Sequence, residues 1–191
     1  MTAELAVWLA WLVWWISWMA AAAWTGRTVQ RPGGGSEVLY RLLGLVGIVL
    51  LFGLYPHVHS AELALWEVGD GVAWSMVALA VLGFVFAWWA RLHLGALWSS
   101  SVTRKADHHL VDTGPYGLVR HPIYTGVILA ALATAVLRGT ALSLLGAALM
   151  TLGWYVKARL EERFLREQLG AEIYDAYSRH TPMLIPFTQA R

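Results

Sequence analysis

Two short stretches hold most of the side chains in this sequence that could act on a ligand. One is His108-His109-Leu110-Val111-Asp112-Thr113-Gly114-Pro115-Tyr116-Gly117-Leu118-Val119-Arg120-His121-Pro122-Ile123-Tyr124, and the other is Lys157-Ala158-Arg159-Leu160-Glu161-Glu162-Arg163-Phe164-Leu165. Both adjoin apolar runs, where charged and histidine side chains are costly enough to need a purpose. A helix opening at Pro122 places proline where its missing N–H costs nothing. Its N-terminus would offer backbone N–H groups and a partial positive charge to a carboxylate. Glu161 and Glu162 suit an ammonium or a sulfonium. Gly114-Pro115-Tyr116-Gly117 reads as a turn where backbone can approach a ligand, with Tyr116 and Tyr124 able to stack on a flat base. Metal and thiol chemistry fit less well. The chain has no Cys, and adjacent His108 and His109 point apart on any regular backbone, so at most one faces a ligand. His57 and His59 fall in a polar loop where solvation is the default, and His93 and His180 read as interfacial, so no metal site is expected.

The elements that must position these residues follow from composition. Of 191 residues 58% are hydrophobic, only 14% are charged and 12 are Trp, which excludes an ordinary soluble domain and a disordered chain alike. Residues 5–24 form an uncharged apolar run of the length that crosses a hydrocarbon core. Glu4 precedes the run and bulky Trp continues to its end, so it reads as a retained span rather than a cleaved leader. A Gly/Pro turn with Arg27 and Arg31 follows. Further spans are expected at 38–55, 72–90, 122–137 and 141–156, the last two joined by the hairpin Arg138-Gly139-Thr140. Trp8, Trp11, Trp15 and Trp18 recur at helical spacing, with Trp14 adjacent, and suit lipid contact or helix packing. Gly44, Gly47, Gly53, Gly146 and Gly153 suit close helix packing.

The loop 57–71 carries Glu62, Glu67 and Asp70 and no cation, whereas the segments after the first and third spans and the C-terminal part are basic. The positive-inside rule then gives an outside N-terminus and a cytoplasmic C-terminus. The net charge of +2 is thus distributed for membrane orientation and not for nucleic acid. From Lys157 onward Leu160, Phe164, Leu165, Leu169, Ile173, Tyr174 and Tyr177 form an apolar stripe, so an amphipathic helix is expected that continues the fifth span into the interface, interrupted at Gly170 and stopped by Thr181-Pro182. The fold class is therefore all-α integral membrane, five transmembrane helices with a C-terminal amphipathic helix on the cytoplasmic side. It forms one integrated domain in which 1–106 shape an acceptor site and 107–191 bind a cofactor.

An antiparallel hairpin of the last two spans brings the two reactive stretches to one cytoplasmic end. A ligand with a carboxylate, an amine, a cation and a flat base would satisfy all the groups there, and S-adenosylmethionine is such a ligand.

The pattern H-x-L-V-x-x-G-x-Y-x-x-x-R-H-P-x-Y-x-G, followed beyond a hairpin by E-E-x-x-L-x-x-x-x-G and two tyrosines three apart, resembles the isoprenylcysteine carboxyl methyltransferase family and its phospholipid methyltransferase relatives. The resemblance covers about residues 108–187, and the run Gly114 to Gly126 is its specific part. It implies a membrane enzyme that moves a methyl group from S-adenosylmethionine to a lipophilic acceptor, leaving S-adenosylhomocysteine. Cofactor contacts would fall on His108, His109, Leu110, Val111, Gly114, Tyr116, Arg120, His121, Pro122, Ile123, Tyr124, Glu161 and Glu162. A cation near the glutamates, Lys157 or Arg159, would hold an acceptor carboxylate, with Glu162 also in the catalytic set. One departure is Ile173, which stands where the family has Tyr, while Tyr174 and Tyr177 come one residue late.

The acceptor is then a lipidated or lipophilic molecule entering from the bilayer, an isoprenylcysteine-like carboxylate first. A carboxylate needs no general base, whereas the amine of a phospholipid would need His121 or a glutamate. An alternative is an NADPH-dependent sterol-type reductase. Those proteins resemble this one at Arg-His-Pro but read Arg-His-Pro-Asn-Tyr, with an acidic residue after the next glycine, where Ile123 and Val127 stand here. A non-enzymatic adaptor would bind neither cofactor.

Overall fold

The computed structural model describes residues 1–22, 28–30, 35–54, 64–95, 104–105 and 110–188. His57, His59, His108 and His109 lie outside the described residues. The elements run in order α1 (Ala3–Ala22), β1 (Thr28–Gln30), α2 (Gly35–Phe52), α3 (Asp70–Leu94), β2 (Arg104–Lys105), α4 (Pro115–Leu118), α5 (Pro122–Arg138), α6 (Ala141–Leu169) and α7 (Ala171–His180). Apart from the short antiparallel pairing of β1 with β2, the described residues are helical or lie in turns and loops.

Four helices, α1, α2, α3 and α6, are long and apolar enough to cross a membrane by length and composition. The other expected crossing forms α5, an apolar helix of 17 residues. Pro122 opens it, and left-handed Gly139 closes it by donating its N–H to the Ala135 carbonyl. The hairpin then restarts at once. The Thr140 hydroxyl accepts from the Ser143 N–H while the Ser143 side chain accepts from the Thr140 N–H, a capping box that begins α6. α6 holds the span expected at 141–156 and the helix expected from Lys157 in one element. It continues to Leu169, and 29 residues at about 1.5 Å each give roughly 43 Å, longer than a hydrocarbon core of about 30 Å. Gly170 interrupts the chain, and α7 ends at His180 before Thr181.

Small residues set the packing. α3 lies along α5 and α2 along α6. A Cβ on Gly83 would strike the Gly126 carbonyl oxygen and a Cβ on Gly126 that of Gly83, so these two backbones are in direct contact. Gly47 and Gly146 do the same for α2 and α6, where a Cβ on Gly47 would lie 2.8 Å from the Gly146 carbonyl oxygen. A Cβ on Gly153 would lie 3.1 Å from the Tyr40 carbonyl oxygen and 3.4 Å from the Gly44 nitrogen, while Gly44 itself has open space where its Cβ would be.

Tryptophans fill the space between α1 and the rest. Trp11 donates its indole N–H to the Thr134 hydroxyl at 2.9 Å. Trp14 stacks on Phe84 at 5.2 Å between centroids, and Trp18 meets Trp88 edge-on at 5.4 Å. Trp15 is exposed. The inward face of α1 is thus centred on Trp11, Trp14 and Trp18, one position round from the stripe read off the sequence.

At the end away from the reactive stretches, the loop 64–69 is fastened to the hairpin. The Leu65 N–H donates to the Gly139 carbonyl at 2.7 Å and the Trp66 indole to the Val136 carbonyl at 3.0 Å. This staple fixes the height of the start of α3 against the α5–α6 hairpin.

Candidate functional site

The hairpin geometry brings the start of α5 against the middle of α6. Arg120 and His121 precede Pro122, and His121, the N-cap of α5, has φ −126° and ψ 63°, outside the helical region that the following proline disfavours. Glu161 and Glu162 stand on α6 opposite them. Both glutamates are drawn inward, because the α5 corner covers one and α7 encloses the other.

Glu162 belongs to a structural network. The Arg120 Nε donates to Glu162 Oε1 at 2.7 Å, and Arg120 Nη1 donates to the carbonyls of Ser178 at 3.0 Å and Thr181 at 2.6 Å. One guanidinium thus ties α6 to the C-terminal end of α7, where a cation also meets the negative end of the helix. His121 Nε2 lies 3.3 Å from the same Glu162 oxygen, and its Nδ1 lies 3.6 Å from Glu161 Oε2. Burial works against the charged form of this imidazole, but the two carboxylates outweigh it and raise its pKa above the usual histidine range.

Glu161 faces a different environment. The Tyr124 hydroxyl donates to Glu161 Oε1 at 2.5 Å, and Lys157 Nζ stands 4.0 Å from that oxygen. Rings surround this point. His121 stacks on Tyr124 at 5.3 Å with 5° between planes, and Tyr124 stacks on Trp154 at 4.6 Å. The Lys157 ammonium lies 5.1 Å from the Tyr124 centroid, 5.2 Å from Trp154 and 5.8 Å from Tyr40 of α2. The outcome is a cation-favouring chamber built of one carboxylate and three π faces, drawn from α2, α5 and α6.

The Gly114 turn forms a third wall. Gly114 has φ +57°, and a Cβ there would meet the His93 ring at 2.8 Å, so glycine is required twice over. His93 Nε2 is 2.9 Å from the Thr113 hydroxyl, which holds this turn against the end of α3. Tyr116 lies in the single turn α4, and its carbonyl accepts from the Tyr177 hydroxyl at 2.7 Å. Burial raises the Tyr116 phenol well above its ordinary pKa, as does the negative charge of Glu161, so it stays neutral. Arg91, fully buried, donates to the Ala21 carbonyl at 3.0 Å and the Gly95 carbonyl at 2.8 Å, securing the ends of α1 and α3 beside the turn.

Of the residues singled out in the sequence, Tyr116, Ile123 and Tyr124 share one buried cluster that Val111 packs against, and Arg120, His121, Lys157 and Glu162 are buried beside it. Leu110 is half-buried, and Gly114 and Pro122 shape the turn and the helix start. Of the two candidate cations near the glutamates Lys157 is buried, whereas Arg159 is exposed, and two residues at about 100° each put it on the far side of α6 from Glu161. The N–H groups of Arg120 and His121, which precede α5, donate to the carbonyls of Pro182 at 2.8 Å and Met183 at 3.1 Å, so the C-terminal segment pairs with this corner. Tyr40 and Trp154 were not foreseen. Trp154 could have been, since positions 154, 157 and 161 share one face of a helix. Tyr40 had no such signal, because only the packing of α2 on α6 brings it there.

The fold and site define a bundle of apolar, membrane-length helices with a buried acidic and aromatic chamber at one end. Residues 76–167, 92 of the chain's 191, match the model of the isoprenylcysteine carboxyl methyltransferase family. It is 33% identical over 165 residues to methanethiol S-methyltransferase 1 of Bradyrhizobium diazoefficiens, covering 79% of this chain and 54% of that protein. It is 32% identical over 142 residues to the cobalt-zinc-cadmium resistance protein CzcN of Cupriavidus metallidurans, covering 72% of this chain and 56% of that one. The chain thus spans about half the length of these curated relatives. Among solved structures, the eukaryotic intramembrane Ras methyltransferase of the same family superimposes with a TM-score of 0.51 at 20% identity, over 82% of this chain and 54% of that one, a likeness of fold.

Proposed function

We propose that this chain is a membrane-embedded methyltransferase that uses S-adenosylmethionine and acts on a lipophilic acceptor. The observation that carries the reading is the chamber around Glu161, where a carboxylate and three aromatic faces converge within one buried site. This donor set fits a sulfonium, which has no N–H to donate and is stabilised by π faces and negative charge. Glu161 and the rings of Tyr124 and Trp154 would hold that part of the cofactor, with the Gly114 turn and Tyr116 beside them for its nucleoside. When bound, the cofactor supplies an electrophilic methyl group. The chain's own task is to orient the partners and exclude water, so no covalent intermediate with the protein is needed. Arg120 and His121 hold Glu162 and the C-terminal segment in place around the site.

Lys157, buried beside Glu161, is the cation available to an anionic acceptor, while Arg159 faces outward. The first reading of the acceptor is an isoprenylcysteine-like carboxylate, already a nucleophile at neutral pH. A thiol acceptor is the second reading, favoured by the methanethiol S-methyltransferase relatives, one of them from a Pseudomonas strain and 44% identical over 71 residues. The family match weighs toward methyl transfer and away from a reductase.

Orientation follows from charge. Arg41, Arg91, Arg120, Lys157, Arg163 and Arg166 belong to the site end, while Glu4, Glu67 and Asp70 belong to the other. The positive-inside rule puts the site at the cytoplasmic face.

Purified protein incubated with methyl-labelled S-adenosylmethionine and, separately, a prenylated cysteine, a short alkyl thiol and phosphatidylethanolamine tests the reading. Label in the prenylated cysteine supports the first acceptor, and label in the thiol the second. Label in none of them, with oxidation of NADPH by a sterol instead, overturns the proposal.

A further inference from the structure

The chamber that suits a sulfonium already contains a cation of the chain's own. Lys157 is 6% exposed, and its ammonium lies within 6 Å of the centroids of Tyr40, Tyr124 and Trp154. Its distance of 4.0 Å to Glu161 Oε1 exceeds a hydrogen bond, and the Tyr124 hydroxyl donates to that same oxygen at 2.5 Å. The ammonium thus lies over three ring faces beside a carboxylate, surroundings that would equally suit a sulfonium. Two cations cannot share such a box in a desolvated site, where like charges repel strongly.

We propose that Lys157 is a placeholder: its ammonium fills the Tyr40–Tyr124–Trp154–Glu161 box in the resting protein and must leave it for the methyl donor's sulfonium to enter. The same displacement moves the ammonium out of the box toward the acceptor side. The lysine's stem, four methylenes with rotatable bonds, makes such a swing feasible. This inference rests on the donor proposed above and adds a regulation of its site. The cofactor should then bind against competition while its neutral, demethylated product does not. Lys157 thus makes the protein discriminate against the charged form, and Tyr40, outside the region matched by the family model, becomes a determinant of that discrimination.

The experiment is calorimetric titration of S-adenosylmethionine and of S-adenosylhomocysteine into purified protein in detergent, for wild type, Lys157→Met, Lys157→Arg and Tyr40→Leu. Lys157→Met keeps the length and removes the charge. It is expected to raise the affinity for S-adenosylmethionine relative to S-adenosylhomocysteine by about tenfold, while Lys157→Arg keeps the wild-type ratio. Tyr40→Leu, which removes one ring and leaves the lysine, is expected to change that ratio too, and circular dichroism with a thermal melt establishes that each variant is folded. An unchanged ratio in both Lys157→Met and Tyr40→Leu overturns the placeholder, and shows Lys157 acting on the acceptor alone. Failure of wild type to bind either compound would instead sink the proposed cofactor, so the two failures are distinct.

Discussion

At the residue scale the site is an ion network with two sectors that meet at His121. Its imidazole faces Glu161 and Glu162 from α6, Tyr124 from its own helix and, across Glu162, the Arg120 guanidinium. Burial opposes the charge and the carboxylates restore it with a surplus, so the folded pKa is raised. A raised pKa on a base means stability that is complete below the unfolded value, about 6.5, and is lost as pH rises through the folded one. Melting temperature in detergent should therefore fall across that window in wild type and fall less in His121→Gln; parallel curves would contradict the assignment. Arg120 has the larger stability role. Arg120→Met leaves Glu162 buried without its cation and two carbonyls without a donor, at a cost of about 3 kcal/mol or more, measurable as a drop in melting temperature whether or not ligand is present. Much of this was legible beforehand: Arg120, His121, Glu161 and Glu162 all stand out by type and spacing. Their division of labour was not, because which carboxylate meets the guanidinium depends on the roll of α6. Ile173 and Tyr174 make the same point. Ile173 is exposed and Tyr174 buried, so the one-residue offset in sequence keeps a tyrosine pointing inward.

At the element scale the glycines decide how close the helices come. Gly83 with Gly126, and Gly47 with Gly146, meet backbone to backbone, so Gly126→Val or Gly146→Val must push helices apart and should destabilise by about 2 kcal/mol or more. Gly44→Ala is the contrast. Nothing lies within 4 Å of its would-be Cβ, and replacing this half-buried helical glycine by alanine should gain up to about 1 kcal/mol. Thermal melts of the three variants separate the cases, and equal effects at Gly44 and Gly146 would refute the packing described. The apolar runs and the turn at 138–140 made five helices legible in the sequence. The run of α6 past residue 156 was legible too, because Lys157 to Leu169 are themselves good helix formers and Gly170 supplies the first strong stop. Two features were hidden. The one-turn helix α4 and the segment 182–185 are positioned by contacts with distant parts of the chain, such as the Thr125 hydroxyl donating to the Leu184 carbonyl at 2.7 Å, which no local pattern announces.

At the scale of the whole molecule, the helices alternate in direction, so that the ends of α1 and α3 and the starts of α2 and α5 gather round α6 at one level. Most basic residues of the described helices gather there too, Arg138 at the hairpin being the exception. Since the chain lacks Cys, single cysteines report sidedness without background. Arg163→Cys is expected to react with a membrane-impermeant maleimide only from the cytoplasmic side and Asp70→Cys only from the opposite one. The reverse pattern would invert the proposed orientation. The central claim is that the corner at Arg120-His121-Pro122 and the paired glutamates make one pocket for a methyl donor. Its most direct test is calorimetric binding of S-adenosylhomocysteine to wild type and to Glu161→Gln/Glu162→Gln, both verified as folded by their melting curves. The account predicts saturable one-to-one binding to wild type and a loss of about a hundredfold or more in the double variant. Equal affinities in the two proteins would contradict it.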